Sequence, residues 1–315
     1  MKIVILDNNT VTHGDISLAP IEALGETESF DMMAEDDIIE AARDAEVIIC
    51  NKSKITARIM DGCKNLKFIT LFATGYNNID INAAKERGIL VANVPGYSTD
   101  SVAQHTFAFI LELSLNISKY NASVMKGDWA RQEKFCYFAY PLSELFGKTL
   151  GIFGFGAIGK RVAEIGKAFG MKIIAHNRTK KTFEGIEFVD KETLFKNSDF
   201  LTLHCPLNEE TENLVNSETL SLMKPTAFLI NTSRGAVVNE EALSEALKCG
   251  KIAGAAVDVL DIEPMKKGHI YLETPNLIIT PHIAWAPNET RERLIKMVAE
   301  NIKAFQNGQA INLVF

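Results

Sequence analysis

Thr149-Leu150-Gly151-Ile152-Phe153-Gly154-Phe155-Gly156-Ala157-Ile158-Gly159-Lys160 is a short apolar run that opens onto a GxGxxG turn. Leu150, Ile152 and Phe153 give the run strand character, and beyond the turn Val162, Ile165 and Phe169 fall on one helical face. In that setting each glycine has its own task. Gly154 permits the tight turn, Gly156 lets backbone N–H groups approach a pyrophosphate, and Gly159 lets the helix pack closely on the strand. The positive end of the helix faces the phosphate charge. The stretch predicts a dinucleotide site, with Phe155, Ala157 and Ile158 completing the turn.

Downstream of it, Lys172–Ala175, Glu187–Val189, Phe200–Leu203, Ala227–Ile230, Ala253–Val257 and Ile278–Thr280 read as further strands with helices between most of them, as in a doubly wound parallel sheet. Upstream, Ile3–Leu6, Val47–Cys50, Phe68–Phe72 and Ile89–Ala92 are apolar runs separated by polar segments, the signature of βαβ units. A long helix is expected from Ser101 to about Lys119, capped by Asp100 or Ser101. A final amphipathic helix from Asn288 to Asn307 carries a stripe of Leu294, Met297, Val298, Ile302 and Phe305. Because the glycine turn lies mid-chain, the expected architecture is α/β in two domains. A Rossmann-type dinucleotide domain over residues 100–284 is inserted into a flavodoxin-like substrate domain built from residues 1–99 and 285–315, with a substrate cleft between them.

Composition narrows the function classes. The 315 residues are 47% hydrophobic and 23% charged, as in a soluble globular protein, and the formal net charge of -7 argues against a nucleic-acid surface. Lys64, Lys67, Lys180 and Lys181 read as solvated faces or local anion contacts. No apolar stretch is long enough to span a bilayer, and Ile3–Leu6 is too short for a signal sequence. Cys50, Cys63, Cys136, Cys205 and Cys249 show no metal-like or disulfide spacing, which fits reduced thiols in a cytoplasmic protein. No metal site is expected. His13, His105, His176, His204 and His269 show no paired ligand spacing, and His105 and His204 read as structural hydrogen-bonders.

About twenty residues after the glycines, an NAD-preferring unit places an acidic residue on the ribose 2′-OH. Here the segment is Ala175-His176-Asn177-Arg178-Thr179-Lys180. Asn177 replaces the carboxylate and Arg178 follows, which removes repulsion of a 2′-phosphate and supplies a bidentate partner for it. NADP(H) is the better fit, with NAD use left open because Asn177 can hydrogen-bond a bare ribose.

Three further patches follow strands, where ligands bind in open parallel sheets. They are Asn231-Thr232-Ser233-Arg234-Gly235, Asp258-Val259-Leu260-Asp261-Ile262-Glu263-Pro264 and Thr280-Pro281-His282-Ile283-Ala284. With Val94-Pro95-Gly96, Ser101-Val102-Ala103-Gln104-His105 and His204-Cys205-Pro206-Leu207, they make nearly the whole chain resemble the D-isomer-specific 2-hydroxyacid dehydrogenases, most of all the glycerate dehydrogenase/hydroxypyruvate reductase branch.

That resemblance implies an oxidoreductase reducing a small 2-keto acid, hydroxypyruvate or glyoxylate, with NAD(P)H. It implies that Arg234 binds the substrate carboxylate and polarises its carbonyl, and that His282 is the general acid/base. Glu263 is implied to orient the His282 ring and favour its imidazolium form. Thr74 and Gly75 are implied to contact the substrate carboxylate, and Lys52 to add positive charge. Val102, Thr232, Ser233, Asp258, His282 and Ala284 are implied along the nicotinamide side, Asp258 as a holder of the carboxamide. His204, Cys205, Pro206 and Thr211 are implied near the adenosine, with Cys205 a packing group.

Trp285 is read as shaping the pocket or packing in a core or hinge. Gly127-Asp128-Trp129 and Phe135-Cys136-Tyr137-Phe138-Ala139-Tyr140 concentrate aromatic groups outside any strand, and relatives use this segment to form a homodimer, so the same is expected here. The alternatives are a dinucleotide-sensing corepressor, which usually carries tails this chain lacks, and a D-lactate or phosphoglycerate dehydrogenase.

Overall fold

Val47-Ile48-Ile49-Cys50 and Phe68-Ile69-Thr70-Leu71 are buried at every position, the pattern of central strands in a parallel sheet covered on both faces. The computed structural model describes residues 1–179 and 182–315. The anion-contact reading of Lys180 and Lys181 lies outside the described residues. The chain forms two compact units, one of Met1–Ser98 with Trp285–Phe315 and the other of Thr99–Ala284.

In the first unit the strands are β1 (Lys2–Ile5), β2 (Glu26–Ser29), β3 (Val47–Cys50), β4 (Phe68–Leu71) and β5 (Leu90–Ala92). Among the described residues they form a five-stranded parallel sheet in the flavodoxin-like order β2-β1-β3-β4-β5. The C-terminal helix, Asn288–Gln306, buries Leu294, Val298 and Ile302 against one face, where Phe305 stacks on Phe68 with ring centroids 4.6 Å apart. Trp285 packs on this same core, edge-on to Tyr97.

The second unit opens with α1 (Thr99–Leu115), a break at Asn116 in the left-handed conformation (φ 49°), and α2 (Ile117–Met125). This corrects the expected single helix to Lys119. Thr99 already lies inside the helix, so Asp100 sits in its first turn and not at its cap.

Then come β6 (Thr149–Phe153), α3 (Ala157–Ala168), β7 (Lys172–His176), β8 (Glu187–Phe188), α4 (Lys191–Asn197), β9 (Phe200–Leu203), α5 (Ser217–Leu222), β10 (Phe228–Asn231), α6 (Glu240–Lys248), β11 (Gly254–Val257) and β12 (Leu277–Ile279). Among the described residues the sheet is seven-stranded and parallel, ordered β12-β11-β10-β9-β6-β7-β8. The order reverses between β6 and β9, so a crevice opens beyond their C-terminal ends. No helix among the described residues is long and apolar enough to cross a membrane.

Candidate active site

The glycine turn follows from steric demands that the structure makes explicit. Gly154 has φ +98°, and a Cβ there would stand 2.7 Å from the backbone of His204 and Cys205. A Cβ on Gly159 would meet the Gly154 carbonyl oxygen at 2.3 Å, whereas one on Gly156 would meet nothing within 4 Å. The turn is thus closed on the protein side and open at Gly156, at the amino end of α3. Phe155 turns its ring into the core against Phe183 and Phe188, while its N–H donates to Asn177 Oδ1 at 3.2 Å. Ala157 and Ile158 form the first turn of α3.

Beyond the turn, a cavity of about 320 Å³ is lined by residues that include Gly154, Asn177, Arg178, Thr179, Lys191, Cys205, Pro206, Glu210 and Thr211. Arg178 approaches Glu210 at 3.8 Å, both well exposed. Thr211 braces its own loop by donating to the Pro206 carbonyl at 2.6 Å. Burial pushes the Cys205 thiol up to about 11, which keeps it protonated and suits a packing role. Lys191 went unnoticed in the sequence, yet it carries a signal. A lysine at the first position of a helix opposes the helix dipole, and such a local conflict often marks a functional position.

His204 departs from its expected hydrogen-bonding role. Both ring nitrogens are shut off from solvent and have no partner among the described residues, and burial drives its pKa down to about 3.

At the ends of neighbouring strands β10, β11 and β12, the three patches come side by side. After β10, Asn231 ties its turn by accepting from Ser233 N at 3.0 Å and donating to the Arg234 carbonyl at 2.9 Å. The Arg234 side chain is exposed, with Nη1 donating to the Ser233 carbonyl at 2.7 Å. Thr232 and Ser233 are buried beside it, and Thr232 Oγ1 lies 3.3 Å from Thr106 Oγ1. Thr106 in turn bonds the carbonyl of Val102. After β12, His282 adopts a left-handed backbone (φ +55°), a conformation uncommon outside glycine.

Asp258, at the end of β11, holds that turn. Its carboxylate accepts from Ile283 N at 2.9 Å, from Ala284 N at 2.8 Å and from the Thr280 hydroxyl. His105 Nε2 meets Thr280 Oγ1 at 3.0 Å, and burial lowers the pKa of His105 against the pull of Asp258. The turn-holding role of Asp258 has no counterpart in the sequence reading, because its partners lie 25 and 26 residues away.

From this held turn His282 Nδ1 reaches Glu263 Oε2 at 2.7 Å. The contact assigns the ring proton at Nδ1 to the carboxylate and leaves Nε2 as the atom to exchange a proton with a ligand. Both side chains keep about a third or less of their surface exposed (27% and 32%), accessible yet partly shielded.

Lys52, Thr74 and Gly75 belong to the other unit, after neighbouring strands β3 and β4. The loop of Lys52 is fixed by Asp7, a fully buried carboxylate accepting from the N–H groups of Asn51, Lys52 and Ser53 at 2.7–3.1 Å. Thr74 donates its hydroxyl to the Val94 carbonyl at 2.8 Å, and its own carbonyl accepts from Asn93 at 2.6 Å. Gly75 follows in the same loop.

Residues 107–284 match the family described as D-isomer specific 2-hydroxyacid dehydrogenase, NAD binding domain. Across 100% of its length the chain is 40% identical to a hydroxypyruvate reductase from Blautia hydrogenotrophica, covering 99% of that protein. It is 41% identical to a glycerate dehydrogenase from Methylorubrum extorquens over 89% of this chain and 88% of that one. Among solved structures, an acyclic imino acid reductase in complex with NADPH and D-Arg superimposes with a TM-score of 0.90 at 34% identity, over 100% of both chains. Its NAD-binding Rossmann domain, its second parallel-sheet unit and these relatives together place the chain among the oxidoreductases of the D-isomer-specific 2-hydroxyacid dehydrogenase family.

Proposed function

We propose that the protein reduces a small 2-keto acid, hydroxypyruvate or glyoxylate, to the D-2-hydroxy acid, with Arg234, Glu263 and His282 as its catalytic residues. The observation that carries this reading is the 2.7 Å contact from His282 to Glu263, made from a left-handed turn clamped by Asp258 at the C-terminal edge of the sheet. Hydroxypyruvate and glyoxylate are chosen because the relatives are named for reactions of this substrate class.

The residues fit a dinucleotide. Gly156 leaves open the space a pyrophosphate needs, α3 directs its amino end there, and the orphaned ring nitrogens of His204 lie in the segment packed on Gly154. A nicotinamide cofactor held by these residues would supply the hydride for the substrate carbonyl carbon. The protein's own part is positional and acid–base. Arg234 forks the substrate carboxylate and polarises the carbonyl, and His282 Nε2 delivers the proton to the carbonyl oxygen as it becomes a hydroxyl. Glu263 fixes the tautomer and direction of the ring. Thr74 and Gly75 contribute backbone N–H groups toward the carboxylate, and Lys52 positive charge.

For the cofactor, NADPH is favoured. Arg178 and Lys191 bring two cations to the cavity beyond β7, where Asn177 carries no charge. Glu210, opposite Arg178, tempers that preference and favours dual use with NADH. Exposed Trp129, Phe135 and Phe138 support a homodimer through the dinucleotide-binding unit, and five free cysteines among the described residues fit a reducing cytoplasm.

Initial rates for hydroxypyruvate, glyoxylate, pyruvate and a branched keto acid, each with NADH and NADPH, test the proposal. The highest kcat/KM is expected for hydroxypyruvate or glyoxylate with NADPH. No turnover of any of the four with either cofactor would sink it.

A further inference from the structure

The loop between β11 and Tyr271 carries Glu263, and a residue outside it holds it at two points. Glu240, the first residue of α6, is largely buried and places Oε1 3.0 Å from the N–H of Asp261. Its second oxygen, Oε2, lies 3.0 Å from Nε2 of His269, itself largely buried. His269 Nδ1 accepts from Tyr271 N at 3.2 Å, so the ring's proton is on Nε2 and points at the carboxylate. One carboxylate thus grips the loop two residues before Glu263 and six after it.

The grip extends to the arginine patch. A Cβ on Gly235 would fall 1.8 Å from the Leu260 carbonyl carbon and 2.2 Å from Asp261 N, so the backbone after Arg234 lies flat on the peptide that Glu240 holds. Leu260 N in turn donates to Glu263 Oε1 at 3.0 Å, leaving Oε2 for His282. The chain of contacts runs from Glu240 to the N–H of Asp261, along the backbone to the N–H of Leu260, and from there to Glu263 and His282.

We propose that Glu240, with His269 as its second anchor, is a positioning residue for the reaction, holding Glu263 in line with His282 without touching substrate or cofactor. The inference rests on the catalytic reading of Glu263 and His282 given above. A carboxylate suits the task because it accepts at both oxygens, and the two donors diverge from it along the chain.

The test is a double-mutant cycle between Glu240→Gln and Glu263→Gln on the full-length enzyme, with His269→Gln as a second variant. Glutamine keeps the size of Glu240 but turns an amide N–H toward His269 or Asp261, where a donor already sits. Expected for Glu240→Gln is a fall in kcat of about tenfold or more, with KM for hydroxypyruvate and NADPH affinity close to native. Its pH profile of kcat/KM should be displaced in the same direction as that of Glu263→Gln. The double variant should be no slower than Glu263→Gln alone. If Glu263→Gln leaves rate and pH profile unchanged, the catalytic reading falls and this inference with it. If Glu263→Gln acts but Glu240→Gln and His269→Gln only lower the melting temperature, or their effects multiply with it, the positioning role is overturned and the catalytic reading stands.

Discussion

At His282 the chain accepts a left-handed backbone so that a side chain from the last strand turns toward Glu263. Such a conformation costs a non-glycine residue about 1–2 kcal/mol and persists because the carboxylate of Asp258 takes up the two amides that follow. Removing the imidazole while keeping this frame separates chemistry from binding. His282→Ala is expected to lower kcat by about 10²–10⁴-fold while NADPH affinity, read by fluorescence titration, stays close to native. Unchanged turnover removes His282 from the mechanism. His204 makes a different prediction, one about stability. Burial holds its folded pKa near 3, below the ordinary 6.5, so between these values the unfolded chain binds a proton that the folded chain refuses. The contribution is therefore complete above about pH 6.5 and is lost at about 1.4 kcal/mol per unit as pH falls below it. Urea melts of the cofactor-free protein between pH 7 and pH 5 should show this slope, and His204→Asn should flatten it whatever it does to stability at pH 7.

Elements matter here chiefly through their ends. Parallel strands β10, β11 and β12 stop together, so three loops distant in sequence share one edge. Gly235 is where two of those loops touch. Gly235→Ala forces a methyl group into the Leu260–Asp261 backbone and shifts Arg234 and Glu263 together. The expected result is a loss in kcat/KM of about a hundredfold or more with NADPH binding retained, because the glycine turn is built on other strands. Equal loss of cofactor affinity would mean that the whole sheet edge had moved. The elements themselves were legible wherever burial is uniform, as in Val47–Cys50 and Phe200–Leu203, because hydrophobic runs between turn residues have one reading in this fold class. Glu26-Thr27-Glu28-Ser29 was not, since an edge strand with polar faces carries no such signal. Nor was the break at Asn116, which a single left-handed residue makes without interrupting the apolar pattern. The glycine turn could be read from chemistry alone. The proposal of Arg234, Glu263 and His282 as catalytic residues needed the resemblance, because nothing local distinguishes a catalytic histidine from a loop histidine. Asp7, Glu240 and the turn-holding role of Asp258 escaped both, for each acts on amides 20 or more residues away.

At the scale of the whole molecule, a large aromatic surface lies outside the hydrophobic cores of the described residues. Phe135 and Phe138 are 88% and 80% exposed, and Met125, Trp129 and Phe146 add to the apolar area. The segment is not loose. Trp129 Nε1 donates to the Phe135 carbonyl at 3.0 Å, Tyr120 bonds the backbone of Tyr140 at both its carbonyl and its N–H, and Tyr137 donates to Ser123 at 2.9 Å. A segment braced by its own hydrogen bonds while presenting phenyl rings outward suits a contact surface, and each ring buried in one would contribute about 1.5–3 kcal/mol. A second copy of the chain is the occupant proposed, since a two-fold axis buries the same rings twice from one sequence change. Sedimentation velocity at micromolar concentration should give a dimer of the 34.8 kDa chain. Phe135→Asp with Phe138→Asp should shift it to monomer while leaving the Rossmann core folded, because neither ring packs in that core. A native chain that sediments as a monomer rules the dimer out; a dimer untouched by the two aspartates places its interface elsewhere.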